Sequence, residues 1–393
     1  MKNIICLFIS LLFIISFNNS AACTVFYAAN GKIVLAGNNE DFLNAEAYIH
    51  FLPAKDGKFG RIYFGYYVLG SLIPFGGVND RGLFYDMASL DNVELKEIPT
   101  GEIFNGDIIE IIMTECSTID EVIKLLNKYS NISYLTNVQI MFGDKFGNSI
   151  IVEGNKIHQK EGGYQIMTNF RQTTENLKKG NIPCQRYKIA DNLLGRTNNL
   201  SKRLFQNILE SVHQEGYYST VYSNIYDLTN GVVYLYYFHN FFDEVRLDIG
   251  NELSKGERIV KINSLFKENF AAQGFIDWKN GELNNRIQAR LAKNFNPDII
   301  NNFTGNYGIT FYPTNDTVKV SNENGKIVFV IADTLRIEAM PESNTKYFKA
   351  TLNGDYDFTF NIAEAENKIY LKIRPTEFGT ETIWVKNIDR SSF

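Results

Sequence analysis

Apolar and polar positions alternate in short runs along most of the chain, and several segments of helical spacing interrupt them. The first run, Thr24-Val25-Phe26-Tyr27-Ala28, with a turn at Asn30-Gly31 and a return over residues 32–36, predicts a hairpin. The polar cluster Gly37-Asn38-Asn39-Glu40-Asp41 follows the returning strand, which brings it back beside Cys23 at the start of the hairpin. Further strands are expected over 61–68, 73–78 and 83–88, the last leading into Ser89, with Asn79-Asp80-Arg81-Gly82 as a turn. Helical spacing covers 105–116 and 119–129, and Ser117-Thr118-Ile119-Asp120-Glu121 supplies a cap between them. Short strands return over 138–142, 149–153 and 165–168, followed by helices over 186–194 and 201–211. A second hairpin, 219–226 with 232–238, turns at Asn230-Gly231.

The pattern changes after about residue 258. Residues 263–275 and 284–293 read as linker and helical material, and from 301 onward short strands alternate with polar turns. These strands, 318–321, 326–331, 335–339, 346–350, 356–362, 368–373 and 381–386, have the period of a small closed or nearly closed antiparallel sheet. Strands on both sides of a helical middle, with short antiparallel connections, imply an α+β fold in which helices cover a sheet system. The glycines between Gly70 and Gly77 suit close hairpin packing, and no strand-to-helix phosphate loop is evident.

The chain has 393 residues, 45% hydrophobic and 21% charged, with a formal net charge of -5. That balance suits a globular protein and supplies no concentrated basic surface for nucleic acid. The N-terminal residues carry a targeting pattern. Lys2 precedes an apolar run over 4–17, and Asn18-Asn19-Ser20-Ala21-Ala22 gives small residues where a signal peptidase would cut before Cys23. The run is short for a membrane span, and no later stretch is long and apolar enough to be one. A lipoprotein also has cysteine at its cleavage site, but Ser20 stands where such signals usually carry an aliphatic residue. The expected organisation is a signal peptide over 1–22, a main domain over 23–260, a linker or helical connection over 261–300 and a small β domain over 301–393, in a secreted or periplasmic protein.

Without the leader, Cys23, Cys116 and Cys184 remain, an odd and sparse set that describes no disulfide framework. The four histidines, His50, His158, His213 and His239, show no zinc-ligand spacing and no Cys-His pattern. Cys23 offers another chemistry. Once N-terminal, its sulfur can attack a carbonyl while its own α-amine, with a reference pKa of about 7.7–8.0, takes and returns the proton. Asp41 is placed to accept a hydrogen bond from that amine or to orient it; the alternative is that Asn39 braces the loop through its amide.

Cys23-Thr24, Gly37-Asn38-Asn39-Glu40-Asp41, Asn79-Asp80-Arg81-Gly82-Leu83 and Thr168-Asn169 together resemble the choloylglycine hydrolase and penicillin V acylase family of N-terminal-nucleophile linear amide hydrolases, over about residues 23–260. The resemblance implies a four-layer αββα sandwich. It implies Cys23 as nucleophile, Asp41 at its amine and Asn169 as one oxyanion donor, with the Ser89 backbone N–H in the place of the other. Arg186 in Arg186-Tyr187 is the nearest match to a later family arginine. The sequence departs from the family at Asn38, where relatives carry an arginine. The terminal region resembles small β-barrel modules appended to secreted hydrolases.

The reaction implied is hydrolysis of a small N-acyl amide through a thioester, with no metal or organic cofactor. The substrate class spans N-acyl amino acids, acylated signalling lactones, bile-salt conjugates and phenoxyacetyl β-lactams. The aromatic runs 62–67 and 234–238 suit either an acyl pocket or the sheet core. Expected partners are that small substrate and a second copy of the chain in a homo-oligomer, with no nucleic acid and no integral membrane span in the mature protein. The competing readings are a non-catalytic secreted binding or structural protein on the same scaffold, and an acyltransferase.

Overall fold

The computed structural model describes residues 23–68, 71–90, 107–129, 138–154, 156–172, 182–197, 199–309, 317–331, 335–352, 357–365, 368–374 and 382–386. The expected signal peptide lies outside the described residues. Two compact units divide the chain, one comprising 23–67 and 72–275 among the described residues, the other formed mainly by residues after 275.

The first unit contains two antiparallel sheets. In the first, β1 (Thr24–Ala29) and β2 (Val34–Phe42) form the expected hairpin, with β10 (Tyr164–Met167) beside β1. Beyond β2 come β11 (Ser219–Asp227), β12 (Val232–Tyr237) and β13 (Asn240–Asp248). The second sheet runs in the order β14 (Arg258–Lys261), β3 (Tyr48–Leu52), β4 (Arg61–Val68), β5 (Ser71–Asn79), β6 (Leu83–Ser89), β7 (Val138–Asp144), β8 (Ser149–Glu153) and β9 (Lys156–Gln159). Gly65 and Gly77 allow β4 and β5 to approach closely, because a Cβ at either would overlap a backbone carbonyl across the pair.

Helices cover the outer faces. On the second sheet, α1 (Ile108–Glu115) and α2 (Ile119–Lys128) bury Ile112, Met113, Val122 and Leu126 against Leu83, Tyr85, Ile140 and Phe142. The cap read from the sequence is present: Thr118 and Glu121 form a reciprocal capping box at α2. On the first sheet, α3 (Gln185–Gly195) and α4 (Lys202–Val212) bury Ala190, Leu194, Phe205 and Leu209 against Phe26, Leu35 and Ile225. The inner faces meet through aromatic pairs, Phe64 with Tyr222 at 5.9 Å and Phe84 with Tyr226 at 5.1 Å. The result is the expected α+β arrangement of helix, sheet, sheet and helix, four layers of the αββα type.

A short helix α5 (Ile249–Ser254) follows β13. The region read as linker and helical material is more regular than expected. α6 (Phe270–Arg290) is one uninterrupted helix of 21 residues. Gly274 and Gly281 and the lack of an apolar stripe hide it in the sequence; a Cβ at either glycine would meet nothing within 4 Å.

After α7 (Ile300–Phe303), eight strands form a closed barrel: β15 (Gly305–Ile309), β16 (Thr317–Glu323), β17 (Lys326–Ile331), β18 (Leu335–Pro341), β19 (Lys346–Lys349), β20 (Phe358–Ala365), β21 (Lys368–Arg374) and β22 (Thr382–Lys386). Its interior holds Tyr307, Phe329, Tyr347, Phe360 and Trp384. The closing strand β15 escapes the sequence pattern, since Gly-Asn-Tyr-Gly-Ile alternates weakly, yet it pairs with both β16 and β22. Among the described residues, no helix is long and apolar enough to cross a membrane.

Candidate active site

Cys23 stands directly before β1 and is buried. The ladder pairs Thr24 with Asn39 and Val25 with Asn38, so its next step sets Cys23 across from Glu40. Strand alternation then divides the polar cluster. Asn38 and Glu40 share the inter-sheet face with Cys23, whereas Asn39 and Asp41 share the helix-covered face with Thr24. The Asn39 amide donates to the Leu209 carbonyl of α4 at 2.9 Å and accepts from Ser223 Oγ at 2.6 Å. It thereby braces strand to helix, whereas its position in the sequence suggested bracing of a loop.

All five residues singled out in the sequence come together. Arg186, in the first turn of α3, donates through Nη1 to the Cys23 carbonyl at 2.8 Å and to Thr24 Oγ1 at 2.6 Å. Its Nη2 donates to Asn169 Oδ1 at 2.9 Å, and Nη1 lies 3.6 Å from Asp41 Oδ2. Asn169 Nδ2 in turn donates to the Ser89 carbonyl at 2.9 Å and to Ser89 Oγ at 3.2 Å. A guanidinium therefore bonds the backbone carbonyl of Cys23, while Asn38 holds the neighbouring strand position. The guanidinium arrives from a different element.

Asp41 is held on its other side by residues that the sequence did not mark. Thr220 Oγ1 donates to Asp41 Oδ1, and Gln214 Nε2 donates to Asp41 Oδ2 at 2.9 Å. Burial pushes its carboxyl up to about 7, against the Arg186 charge, the Thr220 and Gln214 hydrogen bonds and the His213 charge. Neither Thr220 nor Gln214 lies in a recognisable motif.

Glu40 is the other addition. The Cys23 thiol donates to Glu40 Oε1 at 3.6 Å. Burial, then the charges of Glu40 and Asp41, push that thiol well above its ordinary range, so the resting sulfur is protonated. Glu40 itself is raised to about 8 by burial and the neighbouring Asp41 charge, opposed by the Asn38 amide and the thiol. Asp86 of β6 is raised as well, by burial and then by Glu40. An aspartate inside the apolar run Leu83-Phe84-Tyr85-Asp86-Met87 was a readable signal, because an acid is buried in a strand only at a free-energy penalty.

A stability consequence follows with a definite sign. Between about pH 4.5 and pH 8 the unfolded chain has released the Glu40 proton and the folded chain still holds it. The folded state then binds more protons, and stability falls as pH rises through that window. Glu40→Gln removes the Glu40 share of the dependence, so the variant gains on the parent by a few kcal/mol, order of magnitude, between pH 5 and pH 8. Urea unfolding at the two pH values measures this; a gap between variant and parent that does not grow excludes Glu40 as the titrating group.

The same inter-sheet face carries several buried polar atoms with no hydrogen-bond partner among the described residues: Tyr66 OH, Asp86 Oδ2 and Tyr222 OH. Each such group costs about 1–3 kcal/mol, so the fold carries a free-energy penalty on the face beside this thiol. The aromatic run at 62–67 is mainly core: Ile62, Phe64 and Tyr66 are fully buried. A surface hollow of about 610 Å³, lined by residues including Ile123, Asn127 and His158, shares no residue with this site.

No family model and no curated protein matches the chain. Among solved structures, it is similar to a mutant of the conjugated bile acid hydrolase from Clostridium perfringens, at 17% identity and a TM-score of 0.47, over 63% of this chain and 97% of that one. A second variant of that hydrolase matches at 16% identity and a TM-score of 0.48, over 63% and 97% of the two chains. Penicillin V acylase from Agrobacterium tumefaciens matches at 13% identity and a TM-score of 0.47, again over 63% and 97%.

Proposed function

We propose that this chain is a secreted cysteine hydrolase of linear amide bonds, related to choloylglycine hydrolases and penicillin V acylases and matured by cleavage before Cys23. In this reading residues 23–260 form the catalytic domain, 261–300 connect it and 301–393 form the appended barrel domain. The observation that carries it is the Arg186 fork, which joins Cys23, Thr24 and Asn169 directly and approaches Asp41. A guanidinium presents several donors in one plane, so it fixes these groups relative to one another.

The α-amine of mature Cys23 takes the thiol proton as Sγ bonds to the amide carbon, and the carbonyl π electrons move onto oxygen. The oxyanion is received by the Asn169 amide, which turns from Ser89 Oγ, and by the Ser89 backbone N–H. Collapse breaks the C–N bond, the α-ammonium protonates the departing amine, and a thioester remains. Water activated by the same amine then releases the carboxylic acid and restores the thiol. Asp41 keeps the amine in place, Arg186 keeps Asp41 and Asn169 in place, and Glu40 holds the thiol hydrogen in the resting enzyme.

Asn169→Ala is expected to lower kcat on a small N-acyl amide by about 10²–10³-fold with KM little changed, because an oxyanion donor acts in the transition state. Steady-state kinetics over a panel of N-acyl amides checks this. An unchanged kcat removes Asn169 from the oxyanion site.

A further inference from the structure

A second cluster of chemistry-bearing side chains lies at the end of α4. His213, its C-terminal cap, approaches Glu215, with Nε2 to Oε1 at 3.3 Å. The ring of His239, from the turn between β12 and β13, lies 4.8 Å from the His213 ring. One nitrogen from each imidazole and one Glu215 oxygen all fall within 4.8 Å of one another.

Three features set this group apart from a chance surface contact. His213 Nδ1 lies 2.6 Å from the Glu210 carbonyl. Donation there fixes the tautomer and leaves the Nε2 lone pair directed outward, the second-shell arrangement usual for a metal-binding imidazole. His239 Nε2 is buried with no hydrogen-bond partner among the described residues, while the backbone of Gln214 and Thr220 engages the ring.

The backbone that presents His239 is also unusual. Phe238 and His239 have φ of 46° and 63°, and Tyr237 pairs with Asn240 around them. A two-residue hairpin turn with both central residues left-handed favours Asn-Gly, and Phe-His adopts it only under strain. Packing accounts for Phe238, whose ring is buried against Phe275. The same turn stacks the His239 ring on Phe238 at 4.6 Å and brings it against His213.

We infer that His213 Nε2, His239 Nε2 and a Glu215 carboxylate oxygen form a divalent transition-metal site, of the kind that takes Zn²⁺. Two imidazoles and one carboxylate are zinc ligands, with a fourth position left for water. Ligand atoms around a tetrahedral ion at about 2.0–2.1 Å stand about 3.3 Å apart, the separation His213 and Glu215 already have. Small side-chain rotations close the remaining gap, for which Glu215, 76% exposed, has room.

The site stands whether or not Cys23 is a nucleophile, but it reaches the Cys23 neighbourhood through one residue. Gln214, between the two ligands from the α4 end, bonds Asp41 through its side chain and Thr220 through its backbone N–H at 2.8 Å. An ion that pins residues 213 and 215 therefore steadies the support of Asp41.

Calorimetric titration of the chelator-treated full chain with Zn²⁺ alone tests the site, alongside His213→Gln, His239→Asn and, as a control away from the cluster, His158→Gln. Asn is chosen at 239 because it tolerates a left-handed backbone. One Zn²⁺ per chain is expected, with affinity lowered at least about tenfold in each cluster variant and unchanged in the control. X-ray absorption is expected to show a nitrogen and oxygen shell at about 2.0–2.1 Å. Absence of saturable binding, or parental affinity in His213→Gln, overturns the site. Because His213 is a partly exposed helix cap, that variant decides the matter even if His239→Asn fails to fold.

Discussion

Cys23→Ser is expected to lower kcat/KM on N-acyl amides by about 10⁴–10⁶-fold, the range seen when a nucleophile that works in concert with its base is removed. The size follows from the surroundings of the atom. The thiol is buried beside three carboxyl groups, Glu40, Asp41 and Asp86, which already oppose ionisation of the sulfur. A hydroxyl in the same place is harder still to ionise and receives no compensating charge. Serine is slightly smaller than cysteine and remains polar, so the variant is expected to keep the fold. Circular dichroism and thermal melting serve as the control; retention of parental kcat/KM by the serine variant removes Cys23 from the chemistry.

Arg186→Lys is the second large effect, at about 10²–10³-fold in kcat/KM, comparable to loss of an oxyanion donor. The substitution preserves charge, yet a lysine ammonium is a point donor and cannot occupy the Cys23 carbonyl, Thr24 Oγ1 and Asn169 Oδ1 positions together. Arg186→Gln separates charge from geometry. The Arg186 charge holds Asp41 down against burial. Without it the Asp41 carboxyl titrates above about 7, and the acid limb of the pH–rate profile moves to higher pH. Full activity in Arg186→Lys, or an unmoved acid limb in Arg186→Gln, contradicts the arrangement.

How much of this was legible in the sequence depends on the interaction involved. The hairpin over residues 24–42, the capping box at α2 and most barrel strands rest on local patterns, and they lie where the residues indicate. The polar cluster at 37–41 was read as following a strand, because five polar or small residues resemble a loop. In the structure it lies within β2, paired by β1 on one side and β11 on the other, with four of its side chains buried. Pairing on both sides satisfies the backbone and permits a polar interior strand.

Cys23 and Asp41 are legible from the leader and the hairpin return, whereas Ser89, Asn169 and Arg186 come through resemblance, which carries the product of long-range contacts into the sequence. Gln214, Thr220 and Glu40 were missed for the same physical reason. Their parts arise from a register and a helix end that no local pattern encodes. His213 and His239 belong to this class too: far apart in sequence, they meet only because α4 ends where the β12–β13 turn folds back.

The most direct measurement is the intact mass and N-terminal sequence of the mature protein after exposure to an activated acyl amide, compared with Cys23→Ser. A chain that begins at Cys23, gains the mass of one acyl group and loses it to hydroxylamine at neutral pH is the predicted result. The serine variant, with Cys116 and Cys184 intact, is predicted to gain nothing. A mature chain that begins elsewhere, no adduct on the parent, or an equal adduct on Cys23→Ser contradicts the account.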